Sequence, residues 1–196
     1  MRVSKEKVVE HRHAILETAS RLFRERGIEN VSVAEIMKAS GLTHGAFYGH
    51  FRSKADLAEQ AFLTAGAQTH ATMLAEESLD AIIADYLSPR HRDTPARGCP
   101  IPALCGEIAR QSPAFQDAFA RTTNDVIAEI ERRITEPDPV ARRREAVAAF
   151  ATLVGAVTLA RGVAQGDAEL SDEILDAART RLAETLAADR PEDDPR

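Results

Sequence analysis

The chain has 196 residues, enough for one good core or two small domains, and its lack of Trp and 5% aromatic content lean towards helices. Its net charge of −6 argues at first sight against a nucleic-acid partner, yet residues 1–54 hold ten Lys/Arg against six Asp/Glu, which leaves −10 on the remainder. A local DNA-facing patch on an acidic body produces that asymmetry. Along the chain, Met1-Arg2-Val3-Ser4-Lys5-Glu6-Lys7 has no apolar core and is not read as a secretory signal. With two cysteines, this predicts a reducing, cytoplasmic setting. Ile15, Leu16, Ala19, Leu22 and Phe23 recur at helical spacing before Gly27, predicting a helix over residues 5–26.

Ser32-Val33-Ala34-Glu35 has the pattern of a capping box, and Val33, Ile36 and Met37 form the apolar stripe of a short helix ending near Ala39. Ser40-Gly41-Leu42 supplies a turn in which Gly41 takes a left-handed conformation. Thr43 is the expected N-cap of a third helix reaching His50. Ser53-Lys54-Ala55-Asp56 is another capping signal, opening a long helix with Leu57, Ala61, Phe62 and Ala65 on one face. The helical pattern continues to Leu87 with a break near Ser78, and residues 88–98 read as a loop by composition. Pro100 and Pro102 fit the first turn of the next helix, which ends before Pro113. A helix follows with Phe115, Phe119, Thr122, Val126, Ile130 and Ile134 on one face, broken by Pro137-Asp138-Pro139. Further helices are expected over 140–164 and 170–187, and 189–196 is expected to be a disordered tail. No period-two strand pattern occurs, so the expected fold is all-α with about nine helices.

Two short helices joined by a Gly-containing turn behind a longer supporting helix make a helix-turn-helix, whose last helix enters the major groove. The run from Val31 to Leu57, including Thr43-His44-Gly45-Ala46-Phe47-Tyr48-Gly49-His50-Phe51 and Ser53-Lys54, resembles the N-terminal domain of the TetR family of transcriptional regulators. Ala19, Leu22, Phe23 and Gly27 fit that family's first helix, and the resemblance covers about residues 10–60. It implies a helix-turn-helix domain over 1–53 and a helical effector-binding and dimerisation domain over 54–188. It also implies a DNA-facing set of Ser32, Thr43, His44, Gly45, Tyr48, His50 and Lys54, with Tyr48 and Lys54 on phosphates and Phe47 and Phe51 packing the small domain. Gly49 departs from the larger polar residue of many relatives. A helical ligand- or partner-binding module without DNA binding is the rival reading.

The resemblance further implies a homodimer on a palindromic double-stranded operator, most simply a repressor, released by an unidentified small-molecule effector. Val147, Phe150, Ala151, Leu153, Val154, Val157, Thr158 and Leu159 make the 140–164 helix apolar nearly all round, which calls for burial on every side. Ala146–Ala160 is too short to span a bilayer, so no membrane role is expected. Phe150, Val154, Val157, Thr158 and Leu175 are the expected dimer contacts, with Gly155 and Ala156 permitting close approach. Phe62, Met73, Tyr86, Cys99, Phe115, Phe119 and Phe150 are the expected pocket lining. Gly98-Cys99-Pro100 puts a thiol at or beside a helix N-terminus, which favours the reactive thiolate, and resembles a branch of the family with thiol-based sensors. Cys99 then serves as such a sensor or as a small packing residue, and Cys105 lies too far round the helix for an easy disulfide with it. The six histidines show no metal-ligand spacing, and no phosphate loop or nucleophile elbow occurs, so neither catalysis nor a metal or other cofactor is expected.

Overall fold

The computed structural model describes residues 5–188, so the expected disordered tail lies outside the described residues. Among them the structure is all-helical: α1 (Lys5–Arg26), α2 (Val33–Ala39), a 3-10 turn (His44–Gly49), α3 (Lys54–Ala75), α4 (Leu79–Tyr86), α5 (Pro89–Asp93), a second 3-10 turn (Pro95–Arg97), α6 (Pro100–Ile108), α7 (Pro113–Glu131), α8 (Pro139–Val163) and α9 (Ala168–Ala188). The described chain packs as two compact units. One contains residues up to Thr69 together with Pro95–Thr122, and the other contains His70–Thr94 and the residues from Thr123 onwards.

In the first unit α1 buries Ile15, Ala19, Leu22 and Phe23, and it stops at Gly27, whose φ of +82° ends the helix without a Cβ penalty. The buried face of α3, with Leu57, Ala61, Phe62 and Ala65, is the stripe read from sequence. Phe62 packs against Phe115 and Phe119 of α7 at ring separations of 5.4 and 5.5 Å. Arg24 is a buried cation. Its guanidinium donates to the Ser20 and Gly98 carbonyls at 3.1 and 2.7 Å, and burial pulls its pKa down while Cys99, Glu17 and Glu25 push back.

The second unit is organised on α8, which buries Ala146, Ala149, Phe150, Leu153, Ala156, Val157 and Ala160 and packs on α9. By length and composition this 25-residue helix could cross a membrane, as could the buried core helix of a soluble protein. Ser171 of α9 donates to the Ala160 carbonyl at 2.8 Å, and Arg161 reaches the Arg92 and His91 carbonyls at 3.0 and 2.7 Å.

The expected loop over 88–98 is a correction, because it contains α5 and the second 3-10 turn. Ser88 caps α5 by accepting from the His91 N–H at 3.1 Å, with Pro89 in the first turn. Those are the same cues used elsewhere, here outweighed by a Pro- and Arg-rich composition. Ile134 also falls beyond α7, although it remains buried.

Candidate nucleic-acid interface

The corner after α1 is built from short-range hydrogen bonds. The Ser32 hydroxyl accepts from the Glu35 N–H at 3.2 Å, and the Glu35 carboxylate accepts from the Ser32 N–H at 2.8 Å, completing the capping box. These bonds hold the Glu35 pKa below its ordinary value. Gly41 adopts φ +72°, the left-handed turn expected of it. Ile36 and Met37 turn inward and are fully buried.

The expected third helix is instead a 3-10 turn over His44–Gly49. Two glycines in six residues lower α-helical propensity, and six residues are too few to repay helix nucleation. Thr43 has the extended backbone of an N-cap (φ −76°, ψ 149°), but its hydroxyl makes no cap hydrogen bond. The turn keeps its sidedness all the same. Phe47 is 1% exposed and stacks on Phe51 at 5.8 Å, whereas Tyr48 is 69% exposed, and Thr43, His44 and Gly45 are exposed as well. The His44 and Tyr48 rings meet edge-on at 6.2 Å, so the turn offers one continuous patch of imidazole, phenol and small residues.

His50 is half-buried, beside His11 at 6.3 Å; burial first, then His11 and Arg12, lowers its pKa. Sequence reasoning missed Arg12, which donates to the His50 carbonyl at 3.3 Å, pairs with the Gln60 side-chain oxygen and lies 4.7 Å over the Phe51 ring. Its partners are 38 and 48 residues away, so no local pattern announces them. At the start of α3 the Ser53 hydroxyl accepts from the Asp56 N–H at 3.1 Å. Asp56 in turn accepts from the Arg52 N–H at 2.9 Å. Burial works against the Asp56 carboxylate, but Arg52 and Gln60 leave its pKa below the ordinary value. Lys54 is half-buried and its ammonium donates to the Glu29 carbonyl at 3.3 Å. The Arg52 side chain beside it is 91% exposed. Ser32 is exposed, but its hydroxyl is already engaged with Glu35.

Of the expected pocket lining, Phe62, Cys99, Phe115 and Phe119 belong to the first unit, and Met73, Tyr86 and Phe150 to the second. The crevice lined by Ser20, Phe23, Arg24, Ala61, Phe62, Ala65, Pro100 and Leu104 has no room for a water molecule. Cys99 is the N-cap residue of α6 and is 3% exposed, and Cys105 is half-buried, both as free thiols. In the second unit the Tyr86 ring meets His91 at 4.5 Å and Phe150 at 6.3 Å. Of the residues expected at a dimer contact, Phe150, Val157 and Leu175 are 3%, 0% and 2% exposed and pack inside the protomer, while Val154 is half-buried. Val147 and Leu159 on the outer face of α8 are 42% and 62% exposed, with Thr158 exposed beside them. Gly155 is half-buried, and no atom lies within 4 Å of where its Cβ would stand. Among the described residues no group of three metal-ligating side chains occurs.

Residues 15–61 match the profile of the family described as bacterial regulatory proteins, tetR family. The chain is 46% identical over 56 residues to the HTH-type transcriptional regulator AcrR of Shigella flexneri, covering 29% of this chain and 26% of that protein. It is 40% identical over 83 residues to the HTH-type transcriptional regulator TtgR of Pseudomonas putida, covering 42% of this chain and 39% of that protein. The matches therefore span about a quarter to two-fifths of these curated relatives. The likeness to solved structures is longer. A TetR transcriptional regulator from Chloroflexus aurantiacus superposes with a TM-score of 0.76 at 26% identity, covering 93% of this chain and 96% of that one. The reduced form of E. coli NemR superposes with a TM-score of 0.74 over 89% of this chain and 96% of that one; at 21% identity it speaks for the fold alone.

Proposed function

We propose, for a chain that belongs to the TetR family of bacterial regulatory proteins and is a DNA-binding transcriptional regulator rather than an enzyme, a homodimeric repressor acting in the cytoplasm. In this reading it holds a palindromic operator and releases it when a small molecule binds the helical body. The carrying observation is the sidedness of the His44–Gly49 turn, where Phe47 is sunk in the core while Thr43, His44, Gly45 and Tyr48 stand exposed. Such a turn enters a major groove with Thr43 and His44 near base edges, while Tyr48 and Lys54 take phosphates. His50 and Ser32 then act at the margin, since one is half-buried and the other spends its hydroxyl on a cap.

Dimerisation is supported by the apolar side chains that α8 leaves in water, where Val140, Val147 and Leu159 are 72%, 42% and 62% exposed, together with Leu170 of α9 at 40%. Apolar surface left in water favours cover by a second copy of the chain. A two-fold dimer sets its readers roughly 34–36 Å apart, one turn of duplex. An effector that prefers another spacing lowers operator affinity, by a coupling of typically ~1–3 kcal/mol. Effector contact is proposed at Met73, Tyr86 and Phe150, which are buried, so that a ligand enters by parting them. A gel shift with the DNA flanking the chain's own gene tests the reading: retarded DNA that survives excess unrelated duplex supports it. Equal competition by any duplex favours instead a helical module without an operator.

A further inference from the structure

The corner between α1 and α2 is gripped by a residue far away in sequence. Glu107, in the last turn of α6, accepts from the Ile28 N–H at 3.2 and 3.0 Å through its two carboxylate oxygens, and from the Glu29 N–H at 3.3 Å. A carboxylate near a helix C-terminus faces the negative end of the helix dipole. Two backbone N–H groups offset that cost. Gly27, at φ +82°, turns the following N–H groups towards the carboxylate, and a Cβ at Gly27 would stand 2.6 Å from a Glu107 oxygen. The corner is shaped around that oxygen.

The other side of the same residue is occupied by the reader. The Glu29 carbonyl accepts from the Lys54 ammonium at 3.3 Å. Glu29 is therefore bonded to Glu107 through its N–H and to Lys54 through its C=O. An ammonium has three N–H donors, so Lys54 keeps two for a phosphate while Glu29 holds its stem.

We propose that Glu107 is a positioning residue for DNA binding: by fixing Glu29 it aims Lys54 at a backbone phosphate. This rests on the phosphate role given to Lys54 in the reading above. Without the carboxylate, the Ile28 and Glu29 N–H groups turn to water and the Glu29 carbonyl loses its fixed position. Lys54 then spreads over more rotamers and forfeits more side-chain entropy on meeting a phosphate. Two consequences separate this role from plain support of the fold. Glu107 is an acid, so on charge alone its removal strengthens binding to a polyanion, and the proposal requires the reverse. The loss also passes through Lys54 and vanishes when Lys54 is absent.

The test compares full-length wild type, Glu107→Gln, Glu107→Ala, Lys54→Ala and the double variant Glu107→Ala with Lys54→Ala. The probe is a duplex that the wild type selects from a random library, titrated across a salt series. Glu107→Ala is expected to weaken binding about fivefold and to make the dependence of log affinity on log salt shallower by up to ~1, as for Lys54→Ala. The isosteric Glu107→Gln keeps one acceptor oxygen and falls between wild type and Glu107→Ala, with its unfolding midpoint held near wild type. The double variant binds no more weakly than Lys54→Ala alone. Tighter or equal binding by both Glu107 variants with an unchanged salt slope, or additive losses in the double variant, overturns the role of Glu107 while leaving the regulator reading intact. A Lys54→Ala variant that binds like wild type overturns the phosphate role and this proposal with it.

Discussion

Two regions of the chain hold themselves together in different ways. In the corner of α1, α2 and the 3-10 turn, Ser32 with Glu35 and Ser53 with Asp56 close hydrogen bonds across three residues, and left-handed glycines mark the turns. In the α8–α9 pair, Leu153, Val157, Leu175 and Leu182 supply buried apolar surface, with few polar anchors such as the Ser171 bond to Ala160. A cap states where a helix begins and which way it faces. An apolar helix states only that it is buried, so its rotation is decided by packing that the local pattern does not record.

The largest test of that contrast falls on the corner. Phe47→Ala is expected to cost about 3–5 kcal/mol of stability, read from urea unfolding, because its fully buried ring is the main apolar anchor within that six-residue turn. Operator binding is lost with it. A small loss would mean that the corner stands on its caps alone. The counterpart on the other region is Leu159→Glu, which puts a charge on an outer position that is 62% exposed. Sedimentation should show the dimer giving way to monomer and operator affinity falling about a hundredfold, with the protomer still folded, since half the phosphate and base contacts go with the partner. Unchanged dimerisation would move the interface elsewhere.

Tyr48→Phe is a finer probe of the reader. The ring is 69% exposed, so the unfolding midpoint should stay put while affinity falls up to about tenfold, the scale of one hydrogen bond to a charged phosphate. A shifted midpoint with unchanged affinity would make Tyr48 a packing residue. The smallest effect belongs to His91 in the second unit. Burial lowers its pKa below the ordinary 6.5, only partly offset by its bond to the Tyr86 carbonyl. The unfolded chain therefore takes up the proton first as the pH falls. The stability contributed by neutral His91 is complete above about 6.5 and declines as the pH drops below it. Urea unfolding at about pH 7.5 and about pH 5.5 should show wild type losing more stability than His91→Gln; equal losses would place the acid sensitivity elsewhere, with half-buried His50 the first alternative.

How far the fold was legible follows the same division. The end of α1, the limits of α2, the break near Ser78 and the break before α8 are all carried by residues within four positions of one another, so they are legible in the sequence. The α5 segment carried equally good signals in Ser88 and Pro89, but they were masked by a loop-like composition. The reader's sidedness was visible in Phe47 against Tyr48, whereas its 3-10 form depended on Gly45 and Gly49 acting together. Arg12 and Glu107 could not be found, because their partners lie 38 to 79 residues away and nothing in their neighbours points across that gap. Of the residues expected at a dimer contact, Phe150 and Val157 lie on the buried side of α8, a rotation that the apolar pattern alone does not record.

Hydroxyl-radical footprinting on a duplex selected by the full-length chain tests most directly whether the exposed face of the 3-10 turn meets DNA as a pair. Two protected patches on one face of the duplex, about one helical turn apart and both lost in a His44→Ala, Tyr48→Ala variant that still folds and dimerises, are the predicted result. A single patch, or protection that survives in that variant, would contradict the account.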